Sequence, residues 1–250
     1  KTSELGFSLG TKFEQFMNIF LSPEIDFLIE DLETSNKASD VLKKQEGSYK
    51  DLYFNYTINQ DLRDKRFRAE SGYQTFFSQE IPLISDTAEF ANAFEISKYK
   101  KLSTKLDTVG KISFYAKTIT GLSDDVRISK RLGIPSNKLR GFEKGRVGPV
   151  DNNDYIGGNY VSALNLSATL PNILENLDNL DIGVFLDAAN IWGVDYNSSL
   201  DDKSTIRTST GVAFNLLTPI GPLSFSFANA LTKASSDKTE TFRFRLGTQF

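Results

Sequence analysis

The sequence predicts an all-β protein, an antiparallel transmembrane β-barrel, from three observations. Apolar and polar residues alternate at a period of two through nearly the whole chain, as they do in half-buried strands. About eleven such segments follow one another, each long enough to cross a bilayer, for which a strand needs about 9–11 residues. Finally, the polar face carries full charges, whereas the opposite face is almost entirely Phe, Leu, Ile and Ala, as lipid requires.

Each predicted strand depends on the same alternation. In chain order the strands are residues 4–16, 18–31, 48–60, 66–80, 88–101, 109–121, 157–170, 180–192, 206–218, 221–232 and 240–250. The apolar positions are Leu52, Phe54, Tyr56 and Ile58 in the third segment, Ile112, Phe114 and Ala116 in the sixth, and Leu223, Phe225 and Phe227 in the tenth. In the last segment Phe242, Phe244 and Leu246 share one face, and Arg243 and Arg245 lie on the other.

The connections alternate roughly between long and short, as in a membrane barrel whose two rims face different compartments. Residues 122–156 form the longest connection, and residues 32–47 and 194–205 are mid-sized and polar. Residues 59–65 and 219–222 are tight turns. The long connection mixes acidic and basic side chains, which we expect to be solvated loop charges rather than a cation site.

A soluble β-sandwich is the alternative fold, because its strands also alternate and its turns also come every 8–12 residues. The length of the segments, the full charges on the polar face and the aromatic residue that ends the last strand favour the membrane barrel. The composition gives no basic footprint for nucleic acid, since 29 Lys and Arg against 32 Asp and Glu leave a net charge of −3.

The absence of His and Cys argues against most enzymes. It excludes a Ser-His-Asp hydrolase, a thiolate nucleophile, and zinc or iron–sulfur sites built from these side chains. Catalysis by carboxylates, Lys or Tyr is left open by composition alone. We expect no enzyme, no metal and no cofactor.

Five motifs in the second half of the chain occur in a recognisable order. They are Lys138-Leu-Arg-Gly-Phe-Glu143, Gly157-Gly-Asn159, Phe185-Leu-Asp187 followed by Trp192, Pro219-Ile-Gly-Pro222-Leu-Ser-Phe, and the final aromatic strand. In this order they resemble the C-terminal barrel of the outer-membrane protein assembly family, the BamA family of bacterial surface antigens. The motifs cover about residues 138–250, residues 48–121 fit more loosely, and residues 1–47 fit by pattern only.

The resemblance implies that the long loop folds back into the lumen and that Arg140 contacts Asp187 on the inner wall. Arg140, Gly141, Phe142 and Asp187 would then form a lumenal loop latch. Alternation is consistent with this, because a charge at Asp187 must face the lumen rather than lipid. Ser167 occupies a position where the family often has an inward Glu, so the contact of Arg140 is expected to depend on Asp187 alone. A solvated Arg140 with an unrelated Asp187 is the alternative.

The resemblance also implies a weak lateral seam between the first and last strands. Gly247 lies near the end of the last strand, where a glycine weakens pairing, and an unpaired strand edge can accept a nascent strand. Gly247 could equally be a small residue near a strand end. Phe250 fits the C-terminal aromatic signal of bacterial barrels in general.

By the same resemblance the protein would fold and insert other outer-membrane proteins in the bacterial outer membrane. Its partners would be unfolded outer-membrane proteins, outer-membrane lipids and, through periplasmic domains, assembly-complex lipoproteins, with no nucleic acid. A two-partner secretion transporter or a TamA-like translocation factor of the same fold is the nearest alternative, and a passive porin is a further one. Outer-membrane lipases and proteases fit less well without His.

The length adds one expectation. A barrel of this family has sixteen strands, and residues 1–250 supply about eleven. The chain starts at Lys1-Thr2-Ser3-Glu4 without an initiator Met. We therefore expect the C-terminal part of a longer protein, without its first strands and periplasmic repeats, that forms an incomplete, open curved sheet.

Overall fold

Alternating segments pair with their neighbours in sequence to give one large antiparallel sheet. The computed structural model describes residues 1–66, 68–105, 107–171, 179–201, 205–218 and 221–246. The strands are β1 (Thr2–Gly10), β2 (Phe13–Phe16), β3 (Ile19–Leu32), β4 (Gly47–Asp61), β5 (Ser71–Ser85), β6 (Glu89–Ser103), β7 (Thr108–Gly121), β8 (Val150–Asp151), β9 (Asp154–Tyr155), β10 (Tyr160–Pro171), β11 (Leu180–Trp192), β12 (Arg207–Thr218), β13 (Gly221–Thr232) and β14 (Phe242–Leu246).

The order of strands in the sheet is β1-β3-β4-β5-β6-β7-β10-β11-β12-β13-β14, and β2 also pairs with β3. Every pairing in this path is antiparallel. Within the described ranges no pairing joins β1 to β14, so the sheet is open. The predicted all-β antiparallel fold and its open sheet are confirmed.

The two faces of the sheet differ as the alternation predicts. On β11, Phe185, Asp187 and Ala189 are buried, whereas Val184 and Leu186 between them are 52% and 42% exposed. We call the face of Asp187 the inner face and the other the outer face. Some polar residues depart from the predicted apolar outer face: for example, the Tyr56 hydroxyl donates to Gln79 at 2.7 Å, and the Gln79 amide donates to Asn92 at 2.6 Å.

The predicted strand 66–80 is displaced, since β5 runs over Ser71–Ser85. Asp64 and Glu70 belong to the turn that precedes β5, in which the Asp64 carboxylate accepts from the amides of Glu70 and Ser71 at 3.0 and 3.1 Å. At its other end β5 continues past Pro82, where a bulge opposite Leu52 and Tyr53 accommodates the missing amide hydrogen. Apolar and polar residues still alternate within the turn before β5, so alternation could not show where β5 begins.

Several short elements lie in connections that the sequence left as loops. They are the α-turn α1 (Asp40–Lys43), two 3₁₀ turns (Ile128–Lys130 and Ser198–Leu200) and the β8–β9 hairpin. No helix in the described part of the chain is long and apolar enough to span a membrane.

Connections at one end of the sheet pack together over its inner face. Ala38, Leu42, Ile156 and Val194 form a buried cluster drawn from three of them. The longest connection, residues 122–159 between β7 and β10, then runs along the inner face; we call it the inner loop. It contacts β3, β4 and β6 as well as β11 and β14, so the sheet is curved around it.

Candidate functional site

The inner loop meets β11 at Arg140 and Asp187, as the resemblance implies. The guanidinium donates from Nε to Asp187 Oδ2 at 2.7 Å and from Nη2 to Oδ1 at 2.6 Å. The backbone amide of Arg140 adds a third bond to Oδ2 at 3.1 Å. A two-pronged contact of this kind fixes the orientation of both groups.

This contact lies out of water. Asp187 is 0% exposed and the Arg140 side chain is 15% exposed. The guanidinium carbon lies 3.4 Å from the centroid of the Phe185 ring, which faces inward on the same strand. The amide of Asn165 on β10 donates to Asp187 Oδ1 at 2.9 Å and to the carbonyl of Lys138 at 2.7 Å, so it joins the loop and the wall a second time.

Ser167 takes no part in these hydrogen bonds. It pairs with Phe185 in the β10–β11 ladder, two residues from the Asn165–Asp187 pair. The described hydrogen bonds of the Arg140 side chain go to Asp187, in line with the expectation drawn from Ser167.

Gly141 and Phe142 bind the inner loop to the β13–β14 connection. Gly141 has a φ of +85°, which favours glycine, and its carbonyl accepts from the Glu240 amide at 3.1 Å. Phe142 is 2% exposed, packs with Leu139, and forms an antiparallel bridge with Thr239. Arg243 on β14 donates to the carbonyl of Phe142.

The Gly157-Gly-Asn159 motif joins the end of the inner loop to two other segments. Gly158 and Leu132 exchange backbone hydrogen bonds of 3.0 and 2.8 Å across the loop. Asn159 is buried; its carbonyl accepts from Ile119 of β7 at 2.8 Å, and its amide side chain donates to Asp195 at 3.0 Å. The motif is therefore a junction between the loop, β7 and the β11–β12 connection.

Asp195 is an acidic centre of this junction. Burial raises its pKa, but hydrogen bonds from the Val126 amide and the Asn159 side chain, together with Arg131, hold the pKa below its usual value. Nearby, burial and a hydrogen bond to Asp151 raise the pKa of Tyr196. Asp195 is thus ionised and binds the inner loop through its charge.

The expectation that the loop charges are solvated is wrong for Arg131 and Lys138, and Arg127 of the same loop is buried as well. Arg127, Arg131 and Lys138 are buried, and each forms an ion pair: Arg127 with Asp51, Arg131 with Asp195, and Lys138 with Glu95. The inward positions of Glu95 on β6 and Asp51 on β4 follow from the same alternation that placed Asp187. The loop partner of each carboxylate has no such signal in the sequence.

The structure brings together all four residues of the proposed latch. The remaining two predicted site residues, Gly247 and Phe250, lie outside the described residues. The role of the latch and that of the seam stay predictions.

Comparison with known proteins gives similarity to BamA proteins. The outer membrane protein assembly factor BamA of Neisseria meningitidis is 27% identical over 263 residues, which cover 87% of this chain and 32% of that protein. The crystal structure of Haemophilus ducreyi BamA lacking POTRA domains 1–3 has a TM-score of 0.86 at 21% identity and is matched over 97% of this chain and 53% of that one. CdiB from Acinetobacter baumannii shares the fold more distantly, with a TM-score of 0.59 at 12% identity, over 96% of this chain and 40% of that one.

The chain thus spans about a third of the length of the Neisseria relative. The Omp85 superfamily domain matches residues 4–250, almost all of the chain. Members of this group are bacterial outer-membrane β-barrel proteins, which places the inner face toward the lumen and the outer face toward lipid. The chain belongs to the Omp85 superfamily, and the predicted family, fold class and outer-membrane location are confirmed.

Proposed function

We propose that this chain forms part of the membrane barrel of a factor that folds and inserts other outer-membrane proteins. The activity involves no covalent chemistry: the barrel offers backbone edges and a defined lumen to a chain that is adding strands. Unfolded outer-membrane proteins would be its substrates, in contact with outer-membrane lipids and accessory lipoproteins. The similarity to BamA proteins over most of the chain supports this role.

The contact between Arg140 and Asp187 carries the proposal. It is a buried, two-pronged ion pair that holds a long loop in the lumen in one orientation. Burying a charge costs several kcal/mol unless a well-oriented partner compensates it. A buried ion pair therefore adds little net stability, and its main effect here is to fix the position of the loop. A passive porin needs a continuous water-filled path past its constriction loop, whereas here Leu139 and Phe142 of the inner loop are packed against the inner face at 2% exposure each.

A secretion transporter of the same fold is the second candidate. The curated relatives that the chain matches include BamA proteins at 27% and 28% identity, which supports the assembly role over this alternative. The two candidates differ in their products, since one leaves folded barrels in the membrane and the other releases protein outside the cell.

The test is Arg140→Ala in the protein as the cell makes it, with Lys144→Ala as the matched control. Lys144 is an exposed cation of the same loop, four residues away. We expect Arg140→Ala to lower the amount of folded outer-membrane proteins, measured by their heat-modifiable migration, and Lys144→Ala to leave it unchanged. Arg140→Lys keeps the charge but cannot form the two-pronged contact, so the amount of folded outer-membrane proteins should lie between those of the two other variants.

Normal levels of folded barrels with Arg140→Ala, at equal abundance of the variant in the membrane, would contradict the proposed function. A selective loss of one secreted protein, with folded barrels unaffected, would favour the secretion transporter.

A further inference from the structure

A second arginine of the inner loop, Arg127, is buried against a different part of the sheet from Asp187. It is 1% exposed and lies among three carboxylates from three strands: Glu30 on β3, Asp51 on β4 and Glu89 on β6. These carboxylates are 0%, 1% and 2% exposed. In the sheet, β7 and β10 separate β6 from β11, so the two arginines bind different parts of the wall.

Arg127 contacts all three carboxylates. Its Nη2 donates to Asp51 Oδ2 at 2.5 Å, and its Nε lies 3.5 Å from Glu30 Oε2 and 3.9 Å from Glu89 Oε1. The backbone amide of Arg127 donates to Glu89 Oε1 at 3.4 Å. The guanidinium carbon also lies 4.2 Å from the centroid of the Tyr49 ring.

Two of the three carboxylates have other donors, and the third does not. Asp51 accepts from the Ser85 hydroxyl at 2.6 Å. Glu89 accepts from Tyr53 at 3.0 Å and from Thr87 at 2.8 Å. Neither oxygen of Glu30 has a hydrogen-bond donor among the described residues, and the guanidinium, 3.5 Å away, is its described ion-pair partner.

The stability of this cluster depends on the positive charge of Arg127. Lys130 of the same loop lies over the Tyr53 ring, with its Nζ 5.3 Å from the ring centroid. Without the guanidinium, three carboxylates would be buried together, and no other cation among the described residues forms an ion pair with them. Such uncompensated buried charges strongly destabilise the arrangement that buries them, and here that arrangement is the docked loop.

We propose that Arg127 is a positioning residue for the assembly activity: it anchors the start of the inner loop to β3, β4 and β6, while Arg140 anchors the tip to β11. The loop is thereby fixed at two walls of the lumen. The functional part of this inference rests on the proposed function, but the anchoring itself is measurable without it.

Residues 1–250 contain no cysteine, so a single introduced thiol is the only one in this part of the protein. Val126→Cys places a thiol beside Arg127, at a position that is 0% exposed, and Leu139→Cys places one beside Arg140, at 2% exposed. The readout is the rate at which a membrane-impermeant maleimide labels each thiol on intact cells that carry the protein as they make it. Local opening at an anchor exposes the nearer thiol first.

We expect Arg127→Gln to raise labelling at position 126 by about tenfold or more, and to raise it much less at position 139. Arg140→Ala should give the reverse order. Arg127→Lys should restore part of the protection, because it keeps the charge. Lys144→Gln is the control and should change neither rate.

The carboxylates provide a matched pair of variants. Asp51→Asn and Glu30→Gln make the same chemical change in the same cluster, but only Asp51 has the 2.5 Å contact with the guanidinium. Labelling at position 126 should rise more with Asp51→Asn than with Glu30→Gln.

Two results would overturn the inference. One is an unchanged rate at position 126 in Arg127→Gln; the other is an equal rise at both positions, which indicates a general loss of stability rather than the loss of an anchor. The assembly of other barrels is measured in the same cells. If Arg127→Gln selectively raises labelling at position 126 but leaves assembly unaffected, Arg127 anchors the loop but has no part in assembly. If Arg140→Ala does not affect assembly, the proposed function itself is refuted.

Discussion

Gly141 and Gly145 both have a positive φ, +85° and +70°, but only Gly141 lies against other atoms. A Cβ added at Gly141 would lie 3.1 Å from the Cβ of Ala228 and 3.3 Å from that of Ser209. One added at Gly145 would meet nothing within 4 Å. The two positions therefore separate the conformational cost of a side chain from its packing cost.

Gly145→Ala should cost about 1–2 kcal/mol, the usual penalty for a Cβ in left-handed backbone. Gly141→Ala should cost about 1–3 kcal/mol more, because the added methyl crowds the β12–β13 wall and displaces the Arg140 loop tip. Thermal unfolding of the folded barrel measures both. Equal losses for the two variants would show that the loop tip does not pack as described.

Asp195 gives the junction a dependence on pH. Burial opposes its ionisation, but its hydrogen bonds and Arg131 keep its pKa below the ordinary 3.8 in the folded protein. A carboxylate with a lowered folded-state pKa stabilises the fold above its unfolded pKa, and this stabilisation is lost as the pH falls through the folded-state value.

We therefore expect hydrogen exchange at the Val126 amide, which donates to Asp195 at 2.8 Å, to lose its protection as the pH falls below about 3.8, after correction for the intrinsic rate. Asp195→Asn removes the titrating group and should give protection that is weaker but independent of pH in this range. A wild-type protection factor that is constant down to pH 2 would contradict this role.

Single residues also show how far the sequence could predict the site. Asp187 was found because alternation fixes its face, and its partner Arg140 was expected only because the resemblance to the family implies the contact. Arg127 was missed because two of its carboxylates lie 76 and 38 residues away in the chain, and no local pattern connects them. Contacts across a lumen depend on the curvature of the sheet, which a period of two does not encode.

At the scale of strands, alternation predicted which residues face lipid better than where strands end. β11 was predicted at its observed bounds, because Gly193 has a φ of +87° and a turn follows directly. β5 was displaced, because side-chain hydrogen bonds of Asp64 extend the preceding turn over residues that alternate. Strand ends here depend on side-chain contacts within the turns.

Neighbouring residues of β10 test the assignment of the two faces. Leu166 is on the outer face and 39% exposed, and Ser167 is on the inner face, opposite Lys111 of β7. Leu166→Glu should cost about 2 kcal/mol or more, because it takes a carboxylate into lipid. Ser167→Glu should change stability by less than about 0.5 kcal/mol, since it faces water and a lysine.

Both changes introduce the same side chain one residue apart, so each is the control for the other. Folding equilibria in lipid bilayers, measured against urea, give the two free energies. A similar cost for both would contradict the division of the sheet into a lipid face and a lumenal face.

For the whole molecule, the sheet and the loop depend on each other. The loop binds β3, β4 and β6 through Arg127 and β11 through Arg140, and β14 binds the loop through Arg243. At the other rim, Arg68 of the β4–β5 turn donates to Asp181 of β11 at 3.0 Å, a second link between distant strands. An open sheet without hydrogen bonds between β1 and β14 is thus held in its curve by polar side-chain contacts on the inner face.

The central claim is that a docked inner loop is what the assembly of other barrels requires. Phe142 and Thr239 allow a direct test, because the hydrogen bonds that flank their bridge make them a non-hydrogen-bonded pair, for which Cα atoms lie about 4.5 Å apart. This separation lies within the range that a disulfide spans, and residues 1–250 contain no other cysteine that could compete with the pair Phe142→Cys and Thr239→Cys.

The measurement is the yield of folded barrel substrates with the Arg140→Ala, Phe142→Cys, Thr239→Cys variant, first reduced and then oxidised. The reduced form has lost the latch and should assemble poorly. The oxidised form holds the loop tip covalently to the β13–β14 connection, and we expect it to recover most of the yield. A yield as low after oxidation as before it would contradict the claim that assembly depends on the docked loop.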